Sequence, residues 1–303
     1  MRILKDDTHF DFLGKKRIAI IVSAALILMA AISVFFHKGL NYGIDFKGGF
    51  QVRIQLNQTV DLDQIRDLFN RPGVPSVNLQ TIGDSNEIKL VLPLDNPFGK
   101  GAELTESIKK LLSKNYPQLE VRSVESVGPQ VGDELRLSAL YAILISLALI
   151  LVYISFRFHW KFGISAILTL THDIFIVIGF LSIFDKEFSL PVVAALLTVV
   201  GYSLNDTIVI FDRIRENIAR FRKKTLEEVI NLSINETLSR TILTSGTTLF
   251  VVLALFFLGG EIIHDFAFGI LIGIMIGTYS SIYVASPLLI QMSIKAPSPK
   301  PQS

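Results

Sequence analysis

Apolar residues run almost uninterrupted through six stretches: Ile18 to Phe36, Leu137 to Phe156, Phe162 to Phe184, Leu190 to Phe211, Thr241 to Leu258 and Phe266 to Ile290. Crossing the hydrocarbon of a bilayer takes about 20 such residues at helical rise, so each stretch predicts a membrane-spanning helix. A polar region, His37 to Leu135, separates the first stretch from the other five. The layout is therefore 1–36, a short N-terminus and first span; 37–135, a soluble domain; 136–291, a five-helix bundle; and 292–303, a tail. The first stretch is longer than the roughly 7–15 apolar residues of a signal-peptide core, which favours a retained helix over a cleaved leader.

Inside 37–135 the pattern changes from continuous to alternating. Phe50, Val52, Ile54 and Leu56 alternate with Gln51, Arg53 and Gln55, as in a half-buried strand. Leu62, Ile65, Leu68 and Phe69 recur at helical spacing before Pro72 and Gly73. Val77 and Leu79 predict a second strand, and a turn over Gly83 to Asn86 leads to a third through Ile88, Leu90, Leu92 and Leu94. Leu104, Ile108, Leu111 and Leu112 mark a second helix, and Leu119, Val121 and Val124 a last strand. The order β-α-β-β-α-β predicts a ferredoxin-like α+β domain. The fold class is thus an α-helical membrane protein with six spans, arranged one plus five, carrying that domain.

Composition agrees: of 303 residues 50% are hydrophobic and only 18% charged, against about 25% charged in soluble domains. The absence of cysteine excludes disulfides and thiolate chemistry, and a net charge of +2 gives no case for nucleic acid. No His-Glu-x-x-His run and no phosphate-binding glycine loop is present, so neither enzyme, cofactor nor metal chemistry is expected. The placement of charge is more informative. Lys15, Lys16 and Arg17 precede the first span; Arg157 and Lys161 follow the second; Arg213, Arg215, Arg220, Arg222, Lys223 and Lys224 follow the fourth; Lys295 and Lys300 follow the sixth. These clusters share one side, which the positive-inside rule makes cytoplasmic, so both termini face inward and the soluble domain faces outward. Segment 212–239 reads as an amphipathic cytoplasmic helix lying along the membrane surface.

Ionisable groups at membrane depth cost about 2.5–3.5 kcal/mol each on insertion scales and are functional candidates. His172 and Asp173 fall in the third span, Asn205 and Asp206 in the fourth, and Arg240 heads the fifth. Helical rise places Asp206 about 24 Å from the outer end of its span and Asp173 about 17 Å from the inner end of its own. Arg240, Thr244, Thr247 and Thr248 share a helical face that predicts an inward polar stripe meeting Asp206. Desolvation favours a neutral carboxyl and a cation the charged one, so motion that changes their separation changes proton affinity. A static ion pair, or an Arg240 that snorkels to the headgroups, remains the alternative. Asp173 with His172, Asn205 and Thr244 are candidates for a relay or for helix packing. Gly269, Gly273 and Gly277, at four-residue intervals, predict a close helix–helix contact, and Gly201 with Asn205 a shorter one.

The strings GIDFKGG (Gly43 to Gly49), VGPQVGDEL (Val127 to Leu135), GYSLNDTIVIFDRIREN (Gly201 to Asn217) and SRTILTSGTTL (Ser239 to Leu249) occur in this order. Together with the layout they resemble the SecF family of bacterial SecD–SecF membrane complexes, within the resistance-nodulation-division superfamily. Lys47 departs from the Thr more usual at that place. The resemblance implies an inner-membrane, non-enzymatic export subunit that uses the proton-motive force late in translocation. Its implied partners are SecD, the SecY–SecE–SecG translocon, YajC as a candidate, the exported polypeptide and the bilayer. By the same likeness Asp206 is the proton-responsive carboxylate and Arg240 its coupling partner. Asp45 shapes the junction with the first span. The competing reading is half of a small-molecule or lipid exporter of the same superfamily. An outward region of about 95 residues is the size of one domain, which disfavours a substrate tunnel within this chain.

Overall fold

The computed structural model describes residues 9–57, 61–69, 77–82 and 86–292. Pro72, Gly73, three residues of the turn at Gly83 to Ser85, and Lys295 and Lys300 of the tail lie outside the described residues. Six helical runs are long and apolar enough to cross a membrane. The protein is a multi-pass membrane protein with a small four-stranded sheet between the first and second runs.

The elements in order are α1 (Lys16–Phe36), α2 (Ile44–Lys47), β1 (Gly49–Gln55), α3 (Leu62–Phe69), β2 (Asn78–Ile82), β3 (Glu87–Leu92), α4 (Ala102–Leu112) and β4 (Glu120–Val127). The membrane helices α5 (Pro129–Arg157), α6 (Trp160–Ile183), α7 (Leu190–Arg220), α8 (Leu226–Leu258), α9 (Glu261–Ser280) and α10 (Ser286–Gln291) follow. The strands lie in the order β2-β3-β1-β4, with every neighbouring pair antiparallel. Alternation puts Val52, Ile54, Ile88, Leu90 and Leu92 on one face, where Ile65 and Phe69 of α3 and Leu104, Ile108 and Leu112 of α4 cover them. The other face carries Gln51, Arg53, Gln55 and Lys89. The β1–β4 register slips between Arg53, opposite Ser123, and Ile54, opposite Val121, so Arg122 is the extra residue of a bulge.

The segment 212–239 is not a single helix on the membrane surface. α7 runs on to Arg220, the chain turns, and α8 starts at Leu226. Thr225 caps α8 in a capping box: its side chain accepts from the Glu228 N–H, and its own N–H donates to the Glu228 carboxylate at 2.7 Å. Ile214 and Ile218 of α7 are buried with Val229, Ile230, Ile234 and Leu238 of α8. Arg213 Nε meets Glu236 at 2.6 Å and the Asn217 amide donates to Ser233 at 3.0 Å. Each apolar stripe therefore covers the other helix, so neither needs lipid.

α1 buries small residues, Ala19, Ser23, Ala30 and Ser33, against the bundle, with hydroxyl contacts Ser33–Ser182 at 2.9 Å and Ser23–Tyr279 at 3.0 Å. Before it, Phe10 to Leu13, the last of which opens a 3-10 turn (Leu13–Lys15), form a strap held by two amides of α8. Asn235 accepts from Phe10 N–H (2.8 Å) and donates to its carbonyl (2.9 Å), while Asn231 accepts from Phe12 N–H (2.9 Å). After α9 the helix widens to a π turn at Ser281–Ala285. Pro287, one helical turn on, lacks an N–H and crowds the preceding turn. There Ser286 Oγ donates to the Ser281 carbonyl at 3.1 Å and Ser165 Oγ of α6 to the Ala285 carbonyl at 2.8 Å.

Candidate functional site

α9 packs closely on α7 because its glycines leave room for the α7 side chains. Gly269, Gly273 and Gly277 of α9 face Ala195, Val199 and Ser203 of α7, one pair per turn. On Gly269 an added Cβ would sit 3.5 Å from Ala195. On Gly273 it would collide with the Val199 side chain, and on Gly277 it would come within 2.9 Å of the Ser203 Cβ. Gly201, on another side of α7, has nothing within 4 Å of such an atom, and Asn205 beside it is exposed. These two residues make no close helix contact within the described chain.

This seam carries two buried carboxylates with different surroundings. Asp173, 1% exposed on α6, accepts from Ser203 Oγ of α7 at 2.6 Å and from Ser280 Oγ of α9 at 2.8 Å. Its other oxygen meets His172 Nδ1 at 2.9 Å. With the proton on Nδ1, His172 donates, and its buried Nε2 has no partner among the described residues. Asp173 thus ties three helices together and holds three hydrogen bonds, most of a carboxylate's capacity.

Asp206, 3% exposed on α7, is far less engaged. Among the described residues it accepts only from Ser245 Oγ of α8, at 3.3 Å. Ser245 also meets Thr278 Oγ1 of α9 at 2.8 Å, while Thr278 spends its own proton on the Ile274 carbonyl. One serine proton is therefore shared between Thr278 and the carboxylate. Buried beside this cluster, Thr207 Oγ1 and Thr241 Oγ1 have no hydrogen-bond partner among the described residues.

Arg240 makes no ion pair with Asp206 among the described residues and acts on it only through space. The residues sharing Arg240's face do not turn inward: Arg240 and Thr247 are exposed, and Thr241 and Ser245 are the buried positions. Thr244 bonds back to the Arg240 carbonyl at 3.0 Å rather than to Asp206. The cause is the length of α8. Its buried stripe is set by Ile230, Ile234, Thr237 and Leu238, which pack on α7 before the apolar run begins, and it continues in phase through Thr241, Ser245 and Val252.

At the other end of α7 the soluble domain meets the bundle. Gly48 (φ 70°) and Gly49 (φ 137°) adopt left-handed backbone as the chain passes from α2 into β1. The α6–α7 turn is clamped there from several directions. Gly43 N–H donates to the Phe188 carbonyl at 2.9 Å, and Phe188 N–H to that of Asn41 at 2.7 Å. Phe46 and Tyr42 pack their rings on Phe188, and the Arg136 guanidinium of α5 lies over Tyr42. Lys89 of β3 forms an ion pair with Glu187, and Asp265 of α9 accepts from the Glu187 N–H at 2.9 Å. Asp45 accepts from the N–H of Leu190, the first residue of α7, at 2.9 Å.

Ser203, Ser245, Thr278, Ser280 and Lys89 take part in these contacts without having stood out in the sequence. Ser203 and Ser245 do lie inside the two polar runs that drew attention to their helices. Among the described residues no group of His, Asp and Glu could hold a metal ion.

Comparison with known proteins places these features in a family. Residues 107–295 match the family described as protein export membrane protein SecD/SecF, C-terminal, and residues 33–60 match the SecD/SecF GG motif. The chain is 47% identical over 287 residues to the protein translocase subunit SecF of Desulfurispirillum indicum, covering 93% of this chain and 91% of the relative. It is 44% identical over 299 residues to that of Vibrio alginolyticus, covering 97% and 93%. The crystal structure of SecDF, a translocon-associated membrane protein from Thermus thermophilus, superposes with a TM-score of 0.84 at 43% identity. That match covers 94% of this chain and 39% of the solved one, so this chain spans well under half of the SecDF polypeptide.

Proposed function

The chain belongs to the SecD/SecF family of protein-export membrane proteins, and on that premise we propose that it acts as the SecF subunit of the Sec export machinery. In this reading it is not an enzyme. With a SecD partner it converts the proton-motive force into late movement of polypeptide across the cytoplasmic membrane. The end of the bundle carrying Arg157, Arg213, Arg215 and Lys16 faces the cytoplasm, and the α+β domain faces outward beside the translocon and the emerging chain.

The observation that carries the proton reading is the contrast between the two carboxylates. Asp173 is held by His172, Ser203 and Ser280 and serves as a fixed cross-link of helices. Asp206 has one long hydrogen bond, from a hydroxyl with a second partner, and a cation nearby that does not touch it. A buried charge so thinly supported is costly. Small movements of α7 against α8 therefore change how strongly Asp206 holds a proton, and protonation favours one arrangement over the other. A unit charge moving through the full membrane field is worth about 2.3 kcal/mol per 100 mV, enough to bias such a pair of states.

The SecD partner is supported by a surface unsuited to lipid. α7 exposes Ala194, Thr198, Gly201 and Asn205 along one stripe, and α8 exposes Arg240 and Thr247. Small and polar residues of this kind let another helix approach and bond.

The test is export into membrane vesicles containing the chain and a SecD partner. Asp206→Asn should leave assembly and ATP-driven export intact while abolishing stimulation by an imposed proton gradient. Arg240→Lys should retain more stimulation than Arg240→Ala. Full stimulation in the Asp206→Asn vesicles would refute the proton role.

A further inference from the structure

α7 is a helix of 31 residues that begins without a cap of its own: the side chain of the preceding residue, Ser189, makes no capping hydrogen bond. Pro191, at the second helical position, has no N–H. The first N–H of α7, at Leu190, is instead bonded by the carboxylate of Asp45, 145 residues away in the chain. An anion at that end also suits the helix dipole. Asp45 sits in α2, which runs straight into the first strand of the soluble domain and also packs on the first turn of α5, the helix that continues β4. Gly48 and Gly49 turn directly into β1, and a Cβ on Gly132 of α5 would lie 3.3–3.4 Å from Gly48 and Phe46. Of the contacts between this unit and the α6–α7 turn, the Asn41–Phe188 and Gly43–Phe188 backbone pairs and the Lys89–Glu187 ion pair grip the turn. Asp45 alone among them grips the helix.

We propose that Asp45 is a positioning residue that couples α7 to the soluble domain, so that a displacement of α7 caused by a change of state at Asp206 is delivered to the domain through the Asp45–Leu190 hydrogen bond. This rests on the proton reading of Asp206 and adds to it the route by which the outward domain is moved. The route is short and stiff. Asp206 and Leu190 lie on one unbroken helix, about 24 Å apart at helical rise, and the bond from Leu190 to Asp45 leads straight into the unit that carries the sheet. The fixed Asp173–Ser203 contact, three residues before Asp206, gives α7 a pivot between the two ends.

The experiment measures the distance between spin labels on the domain and on the bundle in the full chain, reconstituted with a SecD partner in nanodiscs. The described residues hold no cysteine, so Lys110→Cys on α4 and Leu258→Cys at the outer end of α8 give two unique sites, both exposed. The distance distribution is recorded with Asp206 and with Asp206→Asn, which fixes a neutral side chain there. We expect Asp206→Asn to shift the distribution when Asp45 is present. The shift should vanish in Asp45→Ala and persist in Asp45→Asn, which keeps an acceptor oxygen. It should also persist in Lys89→Ala, which loosens the same junction without touching α7. A shift that survives Asp45→Ala, or that Lys89→Ala removes equally, overturns the coupling role and leaves the proton reading standing. No shift from Asp206→Asn in the Asp45 chain overturns both.

Discussion

The α7–α9 seam makes a prediction in which one chemical change, glycine to alanine, has different outcomes along one helix stripe. Each substitution brings the same gain in helix propensity, about 1 kcal/mol, so that contribution cancels when the three are compared. On Gly269 the new methyl finds Ala195 at 3.5 Å, an ordinary contact, and Gly269→Ala should be neutral or slightly stabilising. On Gly273 it meets the branched carbons of Val199, whose single favoured χ1 in a helix leaves no way to swing aside. Overpacking of this kind costs about 1–3 kcal/mol, which sets the gap between Gly273→Ala and Gly269→Ala. On Gly277 the obstacle is Ser203, at 2.9 Å from Cβ and 3.3 Å from backbone Cα. Relief there means moving α7 itself and stretching the 2.6 Å bond from Ser203 to Asp173, a charged bond worth about 1.5–3 kcal/mol. Gly269→Ala is therefore expected to be the most stable of the three, with Gly273→Ala and Gly277→Ala both below it. Val199→Ala removes about two methyl groups, roughly 1.6 kcal/mol of burial, yet it opens the space the Gly273→Ala methyl needs. The double variant should be more stable than the two single costs predict, with a coupling of about 0.5–3 kcal/mol. The assay is reversible unfolding of the purified chain in mixed micelles, read by circular dichroism for all five variants. Equal stability of the three alanine variants, or strict additivity of Gly273→Ala and Val199→Ala, would refute this account of the seam.

Two further outcomes follow from other parts of the molecule. Gly201→Leu should not destabilise the isolated chain, since the site is open and the change brings up to about 1 kcal/mol of helix propensity, but it should block co-purification of a SecD partner. Retention of the partner would show that the exposed α7 stripe is not its seat. Thr225→Ala should cost about 1 kcal/mol and speed hydrogen exchange at the first amides of α8, since the capping box satisfies one of them; unchanged exchange would contradict the cap.

Spans, domain order and the sheet were readable from residue pattern because each is dictated by a local rule. Lipid demands continuous apolar runs, and a half-covered sheet demands alternation such as Val52, Ile54 and Leu56. The phase of α8 was not readable from its apolar run alone. The rotation that buries Thr241 and Ser245 in place of Arg240 and Thr244 is inherited from Ile230 to Leu238, residues outside the lipid-like stretch. The hydroxyls around the carboxylates were hidden for a different reason. Serine is common at helix contacts, and only the crossing of three helices tells that Ser203 and Ser280 reach one oxygen of Asp173. Asp206 and Asp173 stood out as ionisable groups in apolar runs, whereas their difference in hydrogen bonding is a property of the packed bundle. The cap on α7 bridges 145 residues, beyond the reach of any local pattern.

The strap at Phe10 to Leu13 carries a consequence for how the protein is made. Its clasp, Asn231 and Asn235, lies as far as 225 residues downstream. At typical ribosomal speeds of about 5–20 residues per second, the clasp emerges on the order of ten to forty seconds after the strap. Through that interval the leading segment stays unfastened while four hydrophobic helices are inserted one after another. Closing the buckle is therefore a late event of biogenesis, and it locks the first helix to the bundle only once most of the polypeptide is in place.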